Sequence, residues 1–294
     1  MDTFYYNGWP ISYEHMGGGE PLILLHNGGS SHFIWSEVMP WLSGDYEMFA
    51  FDLLGYGASA KPGTGYTLNN YIDFLAAFID EHELAPVNLV GNCMGSSMSL
   101  GFALRYPEKV RGIVLINPLT EATFLAGYMG PLLRMRKIVP SFARMIYSIL
   151  RKVRLNNWLA AQVVNFQTGT CGKSRKIHKT PELCACFTSD GQMDSLIGVF
   201  DDLMNFSFLD HLEPGRDFPP VCTVWGLQNK VLSPRAGRKL NKTLLPQREE
   251  WLKGCGHLPM LEKPEQVAGI IKDFLVSCAD PGTQRTSNDG EVLS

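Results

Sequence analysis

Val87-Asn88-Leu89-Val90-Gly91-Asn92-Cys93-Met94-Gly95-Ser96-Ser97 runs from an apolar stretch through Gly-x-Cys-x-Gly into small and apolar residues. That order reads as a buried strand followed at once by a helix, with the central residue on the sharp turn between them. Glycine suits both flanks of such a turn, because a Cβ there would meet neighbouring backbone. The central side chain is left exposed at the amino end of a helix. Here that residue is Cys93, a candidate nucleophile.

Four further segments belong to the same plan. Pro21-Leu22-Ile23-Leu24-Leu25-His26-Asn27-Gly28-Gly29 is a strand ending in a glycine-rich turn, and Phe49-Ala50-Phe51-Asp52-Leu53-Leu54-Gly55-Tyr56-Gly57-Ala58-Ser59 is another strand-to-turn unit. Toward the carboxyl end stand Val224-Trp225-Gly226-Leu227-Gln228-Asn229 and Gly254-Cys255-Gly256-His257-Leu258-Pro259. In this order the segments resemble the α/β-hydrolase superfamily with an inserted cap, over about residues 3–120 and 215–278. The resemblance implies an α/β fold with a mostly parallel central sheet flanked by helices.

The chain pattern fits that expectation. Residues 3–14 alternate aromatic and polar side chains, as an antiparallel edge hairpin does. Strands are expected near 22–26, 46–52, 87–92, 110–116, 220–225 and 247–252. Helices are expected near 33–42, 68–84, 94–106, 234–244 and 264–277, the last announced by Lys263-Pro264-Glu265. Residues 119–217 break the alternation and are too long for a loop, which predicts a helical cap between two parts of the core, 1–118 and 218–278. Residues 279–294 are rich in Ser, Gly, Asp and Thr and read as a disordered tail.

Composition narrows the class. A chain of 294 residues with 45% hydrophobic and 19% charged residues can bury one large core. It shows no secretory leader and no apolar run long enough to span a bilayer. Seven cysteines without paired spacing predict reduced thiols in a cytoplasmic protein. No metal-ligand motif or cofactor fingerprint stands out, and no nucleic-acid partner is expected. The net charge of −3 conceals an asymmetry: residues 122–181 hold eleven basic and no acidic side chains, leaving about −14 for the remainder.

Within the resemblance, His257 takes the place of the catalytic base of Cys93, and Met94 and Gly28 take those of the backbone oxyanion donors. His26 and Asp52 fall at positions that shape turns. The third triad position is Asn229, and the alternative site used by some relatives is Asn117. Both are amides where a carboxylate is the rule, while Asp201, Asp202 and Asp210 lie in the expected cap. A thiol tolerates that loss better than a hydroxyl does, since it can rest as thiolate beside imidazolium and needs only an orienting amide. The expected chemistry is acyl transfer or hydrolysis through a Cys93 acyl-thioester, of the thioesterase or acyltransferase kind. The alternative is a non-catalytic ligand receptor or scaffold on the same fold. The basic segment would face coenzyme A, an acyl carrier protein or an anionic membrane surface.

Overall fold

A computed structural model describes residues 1–279. Eight strands form one sheet in the order β1-β2-β4-β3-β5-β6-β7-β8. They are β1 (Asp2–Tyr6), β2 (Trp9–Gly17), β3 (Glu20–Leu25), β4 (Tyr46–Phe51), β5 (Val87–Asn92), β6 (Val110–Ile116), β7 (Val221–Gly226) and β8 (Arg248–Leu252). The amino-terminal hairpin β1–β2 is antiparallel, and β2 runs antiparallel to β4. All other pairs are parallel. Alternation in the hairpin does what it predicts: Phe4, Ile11 and Tyr13 are buried, while Tyr5 and Trp9 face out. The central strands β5 and β7 are buried along their whole length, as strands covered on both faces must be.

Helices cover the two faces. The segment expected near 33–42 divides into a 3-10 turn, His32–Trp35, and a short α1, Met39–Leu42. Pro40 is the reason, since it has no N–H to donate back and its ring collides with the carbonyl four residues earlier. On the opposite face lie α2 (Leu68–Glu81) and α3 (Met94–Arg105). Thr67 caps α2 by accepting from the Asn70 N–H. Phe74 and Phe78 of α2 then meet Phe51 edge-on at 5.1 and 4.7 Å, and Phe4 closes the nest 5.3 Å from Phe78. Such pairs add about 0.5–1.5 kcal/mol each beyond area burial.

Between β6 and β7 the chain leaves the sheet. It forms α4 (Glu121–Leu125), α5 (Gly130–Ile138), α6 (Pro140–Leu150), α7 (Asn157–Gln167), α8 (Thr170–Ser174), α9 (Pro181–Thr188), α10 (Gln192–Asp202) and a 3-10 stretch, Leu203–His211. The last three helices are α11 (Pro234–Leu244), α12 (Pro259–Glu262) and α13 (Pro264–Ala279). Ala279 therefore ends a helix, and the rest of the expected tail lies outside the described residues.

Candidate active site

Every candidate residue stands just past the carboxyl end of a parallel strand, the edge where an open α/β sheet gathers its ligand loops. The His26–Gly29 loop follows β3, Cys93 follows β5, Asn117 follows β6, Asn229 follows β7 and His257 follows β8. Cys93 has φ 54° and ψ −108°, a costly conformation for a residue with a Cβ. Its N–H donates to the Ile116 carbonyl at 2.9 Å, and its own carbonyl accepts from Ser97 and Leu119. A Cβ on Gly91 would stand 2.2 Å from the Gly95 carbonyl carbon, and one on Gly95 would stand 2.2 Å from the Leu25 oxygen. The turn can close only with glycine at both flanks.

The Cys93 sulfur lies beside the backbone N–H groups of Met94 and Gly28. His26 shapes the loop that carries Gly28. Its Nε2 accepts from the Leu53 N–H at 3.0 Å, so Nδ1 holds the proton and donates to the Asn27 carbonyl at 2.7 Å. Asp52 is spent on the neighbouring turn, accepting from the His32 N–H, the His32 ring and the Ala58 N–H.

Cys93, His257, Gly28 and Met94 line one cavity of about 300 Å³. The remaining wall is apolar apart from Gln167, and no lysine, arginine or carboxylate among the described residues lines it. Most of the wall, including Phe124, Leu132, Leu150, Phe166, Phe187 and Phe200, comes from the helices between β6 and β7.

His257 is held by its backbone. Its N–H donates to the Gln167 carbonyl at 2.7 Å, and its carbonyl accepts from Asn92 Nδ2 at 3.2 Å and Asn117 Nδ2 at 3.3 Å. Asn117 also accepts from the Gly226 N–H at 3.0 Å, so its amide is committed to backbone and does not touch the imidazole. Asn229 accepts through Oδ1 from the Val231 and Leu232 N–H groups at 2.9 and 3.1 Å, which leaves Nδ2 without a partner. His257 Nδ1 is likewise buried without a partner.

A model described as the α/β hydrolase fold matches residues 20–264. This α/β fold chain belongs to the α/β-hydrolase superfamily. It is 38% identical over 280 residues, 93% of this chain and 90% of the other, to 2-hydroxy-6-oxo-6-(2'-aminophenyl)hexa-2,4-dienoic acid hydrolase of Metapseudomonas resinovorans. It is 33% identical to a cis-3-alkyl-4-alkyloxetan-2-one decarboxylase of Shewanella oneidensis, over 95% of this chain and 89% of that one. Among solved structures, an esterase of Thermogutta terrifontis superposes with a TM-score of 0.73 at 19% identity, covering 94% of this chain and 97% of the other.

In this α/β hydrolase Cys93 and His257 rest uncharged. Burial pushes the Cys93 thiol up to about 12, more than the Met94 and Gly28 N–H groups can offset. Burial also lowers His257 to about 3. The two side chains make no hydrogen bond in the resting enzyme, so the expected thiolate–imidazolium pair is not preformed. The physical reason is the dry cavity, which penalises both charged forms.

Several residues that hold the hydrolase site carry no motif. Glu262 on α12 is buried, and its carboxylate accepts from Gly256 at 2.7 Å, Gly169 at 2.8 Å and Gly172 at 3.1 Å. It ties the histidine loop to α8. Tyr56 buries its hydroxyl beside Ser195 and the Gly29 backbone, 3.4 Å from where a Cβ on Gly28 would lie. Only its place beside the Gly28 loop marks it, and that place is tertiary. Among the described residues no group of three or more His, Cys, Asp or Glu could hold a metal ion.

Much of the basic segment is neutralised within the fold. Arg151 pairs with Asp194 and Asp201, Arg136 with Asp201, Lys137 with Glu121, Arg154 with Asp190 and Arg175 with Glu37. The chain thus supplies from α10, and from outside the segment, the acids that residues 122–181 lack.

Proposed function

We propose that the protein hydrolyses or transfers a neutral, apolar acyl group through a Cys93 acyl-thioester. The observation that carries this reading is the meeting of a strained elbow cysteine, two backbone N–H groups and His257 on one apolar cavity. As substrate enters, His257 Nε2 takes the thiol proton while Sγ bonds to the acyl carbonyl carbon. The carbonyl oxygen becomes an oxyanion facing the N–H groups of Met94 and Gly28. The Tyr56 hydroxyl is a third donor in reach of the same loop. Collapse breaks the bond to the leaving group, which takes the proton from imidazolium. Water or a second substrate then attacks the thioester, returning the proton to sulfur.

The helices between β6 and β7 act as the cap that closes this cavity and sets its selectivity. The Metapseudomonas relative is named for a dienoic acid, a carboxylate at neutral pH. A carboxylate brought into this cavity would find no cation on its wall, and burial of an unpaired charge is costly. Uncharged esters or thioesters of apolar acids fit better. Asn229, expected at the third triad position, has Oδ1 committed to the Val231 and Leu232 N–H groups and only an unpartnered N–H left, with no hydrogen bond to His257.

Intact-protein mass spectrometry after incubation with a panel of acyl esters and thioesters tests the mechanism. The parent should gain one acyl mass on the Cys93 peptide, and Cys93→Ala should gain none and turn over nothing while melting normally. Turnover by Cys93→Ala would overturn the covalent reading, and a panel that leaves the parent unmodified and unreacted would overturn it in favour of a binding role.

A further inference from the structure

α6 carries an apolar stripe that no other described residue covers. Phe142, Met145 and Ile149 are 47%, 51% and 57% exposed at a spacing of three and four, so they share one face. Ile138 and Val139, at the bend from α5 into α6, are also exposed and extend it. The opposite face of the same helix is well packed. Ala143 and Tyr147 are buried, Tyr147 donates its hydroxyl to the Leu132 carbonyl at 3.2 Å, and Leu150 lines the cavity of Cys93. Burial of the core therefore does not account for the second apolar face.

Charge says what kind of partner fits. Arg134, Arg144 and Lys152 on and beside this helix pair have no acidic partner among the described residues. By contrast Arg136, Lys137, Arg151 and Arg154 are paired. Arg144 and Lys152 are exposed on the same side of the stripe, Arg144 farther round α6 and Lys152 just past its end, three residues after Ile149. No acidic residue occurs anywhere from 122 to 181. A second copy docked through the same stripe would bring these cations against their own equivalents. An anionic, apolar-cored surface satisfies both features together.

We propose that α5 and α6 seat the protein on an anionic phospholipid bilayer, with Ile138, Val139, Phe142, Met145 and Ile149 entering the interface. Arg134, Arg144 and Lys152 meet the headgroup phosphates. No helix of the described residues is long and apolar enough to cross a membrane, so the attachment is peripheral. Leu150 of α6 lines the cavity while Phe142, Met145 and Ile149 face out from the same helix, so the proposed lipid face stands one helix away from the cavity. The attachment itself does not depend on the chemistry at Cys93.

Vesicle co-sedimentation of the full chain tests the inference, using phosphatidylcholine vesicles with and without phosphatidylglycerol. The parent should bind the anionic vesicles, release from them as salt rises, and ignore the neutral ones. The charge variant Arg144→Glu/Lys152→Glu should weaken the partition by about tenfold or more. The apolar variant Phe142→Ser/Ile149→Ser should do the same at unchanged melting temperature, since all four side chains are on the surface. Absent binding, equal binding to neutral vesicles, or binding untouched by both variants would overturn it. So would a dimer in sedimentation velocity that the apolar variant dissociates, with no vesicle binding, because the stripe would then belong to a second copy.

Discussion

Asn229 Nδ2 and His257 Nδ1 are both buried, and neither has a hydrogen-bond partner. Their loops run side by side, with the Gln228 N–H donating to the Cys255 carbonyl at 2.8 Å. The orientation of Asn229 is set by the two backbone N–H groups that occupy Oδ1, so the amide nitrogen is what remains to offer. A donor at that position favours the imidazole tautomer with its proton on Nε2, the wrong one for a base. In serine triads an amide in place of the carboxylate costs about 10⁴ in turnover for this reason.

Asn229→Asp should therefore raise turnover, because a carboxylate oxygen would replace the idle N–H while its partner keeps the Val231 and Leu232 bonds. Cys93→Ser should be far poorer than the parent, and adding Asn229→Asp to it should recover at least about tenfold in kcat. The comparison to make is kcat for the four variants on one activated ester. If the double variant is no better than Cys93→Ser, Asn229 does not fill the acid position.

Alkylation reports the charge state of the thiol. With Cys93 pushed up to about 12, its thiolate fraction is small at neutral pH and grows about tenfold per pH unit. Iodoacetamide should modify Cys93 slowly at pH 7 and about a hundredfold faster at pH 9. Peptide mapping separates it from the more open Cys171, Cys184 and Cys278. A rate already level between pH 6 and 8 would mean a preformed ion pair with His257.

Tyr56→Phe removes only a hydroxyl, which lies beside Ser195 and the Gly29 backbone. Stability should change by no more than about 1 kcal/mol, whereas kcat should fall by about tenfold or more with little change in KM. Unchanged kcat would return Tyr56 to a packing role.

Glu262→Ala should lower stability by about 3 kcal/mol or more, since it leaves three buried N–H groups unpaired. Glu262→Gln should be milder, keeping one acceptor and turning an NH₂ toward the remaining donors. Urea midpoints at constant slope give the first quantity. Because Gly256 precedes the histidine, turnover of the glutamine variant should drop by more than its folded fraction. Loss of activity strictly proportional to folded protein would remove Glu262 from a positioning role.

Acid should unfold this protein early. His26 and His257 are buried and neutral, with values lowered to about 4 and about 3 by burial. An unfolded chain binds protons at both sites below about 6.5. Stability is thus fully present above that value and is lost as pH falls toward the folded values. Each histidine should cost about 2 kcal/mol by pH 5. The slope of urea midpoint against pH between 6.5 and 4 should shrink in His257→Gln. An unaltered slope would show that the imidazole is solvated in the native state.

What could be read without coordinates was whatever local sequence compels. The Gly-x-Cys-x-Gly turn admits one geometry, and the parallel strands reveal themselves as continuous apolar runs. The loop of Gly28 and the histidine after β8 follow from their place along the chain. The edge hairpin and the six following strands were legible along the chain, but their order in the sheet came from the structure. Pro40, by contrast, was in plain view, and it broke the helix expected near 33–42.

The rest was decided by distance in space between residues far apart in sequence. Nothing local announces that Glu262 reaches Gly169 and Gly172, or that Tyr56 brings its hydroxyl beside Gly28. Residues 122–181 look uniformly basic along the chain, yet Asp194 and Asp201 fold back to neutralise Arg136 and Arg151. Ionisation was beyond sequence for a related reason. A cysteine at a helix amino end and a nearby histidine suggest an ion pair, but the free energy of each charge depends on how much water reaches it. That quantity belongs to the packed cavity, whose apolar walls come from helices inserted between β6 and β7, and there desolvation outweighs the two N–H donors.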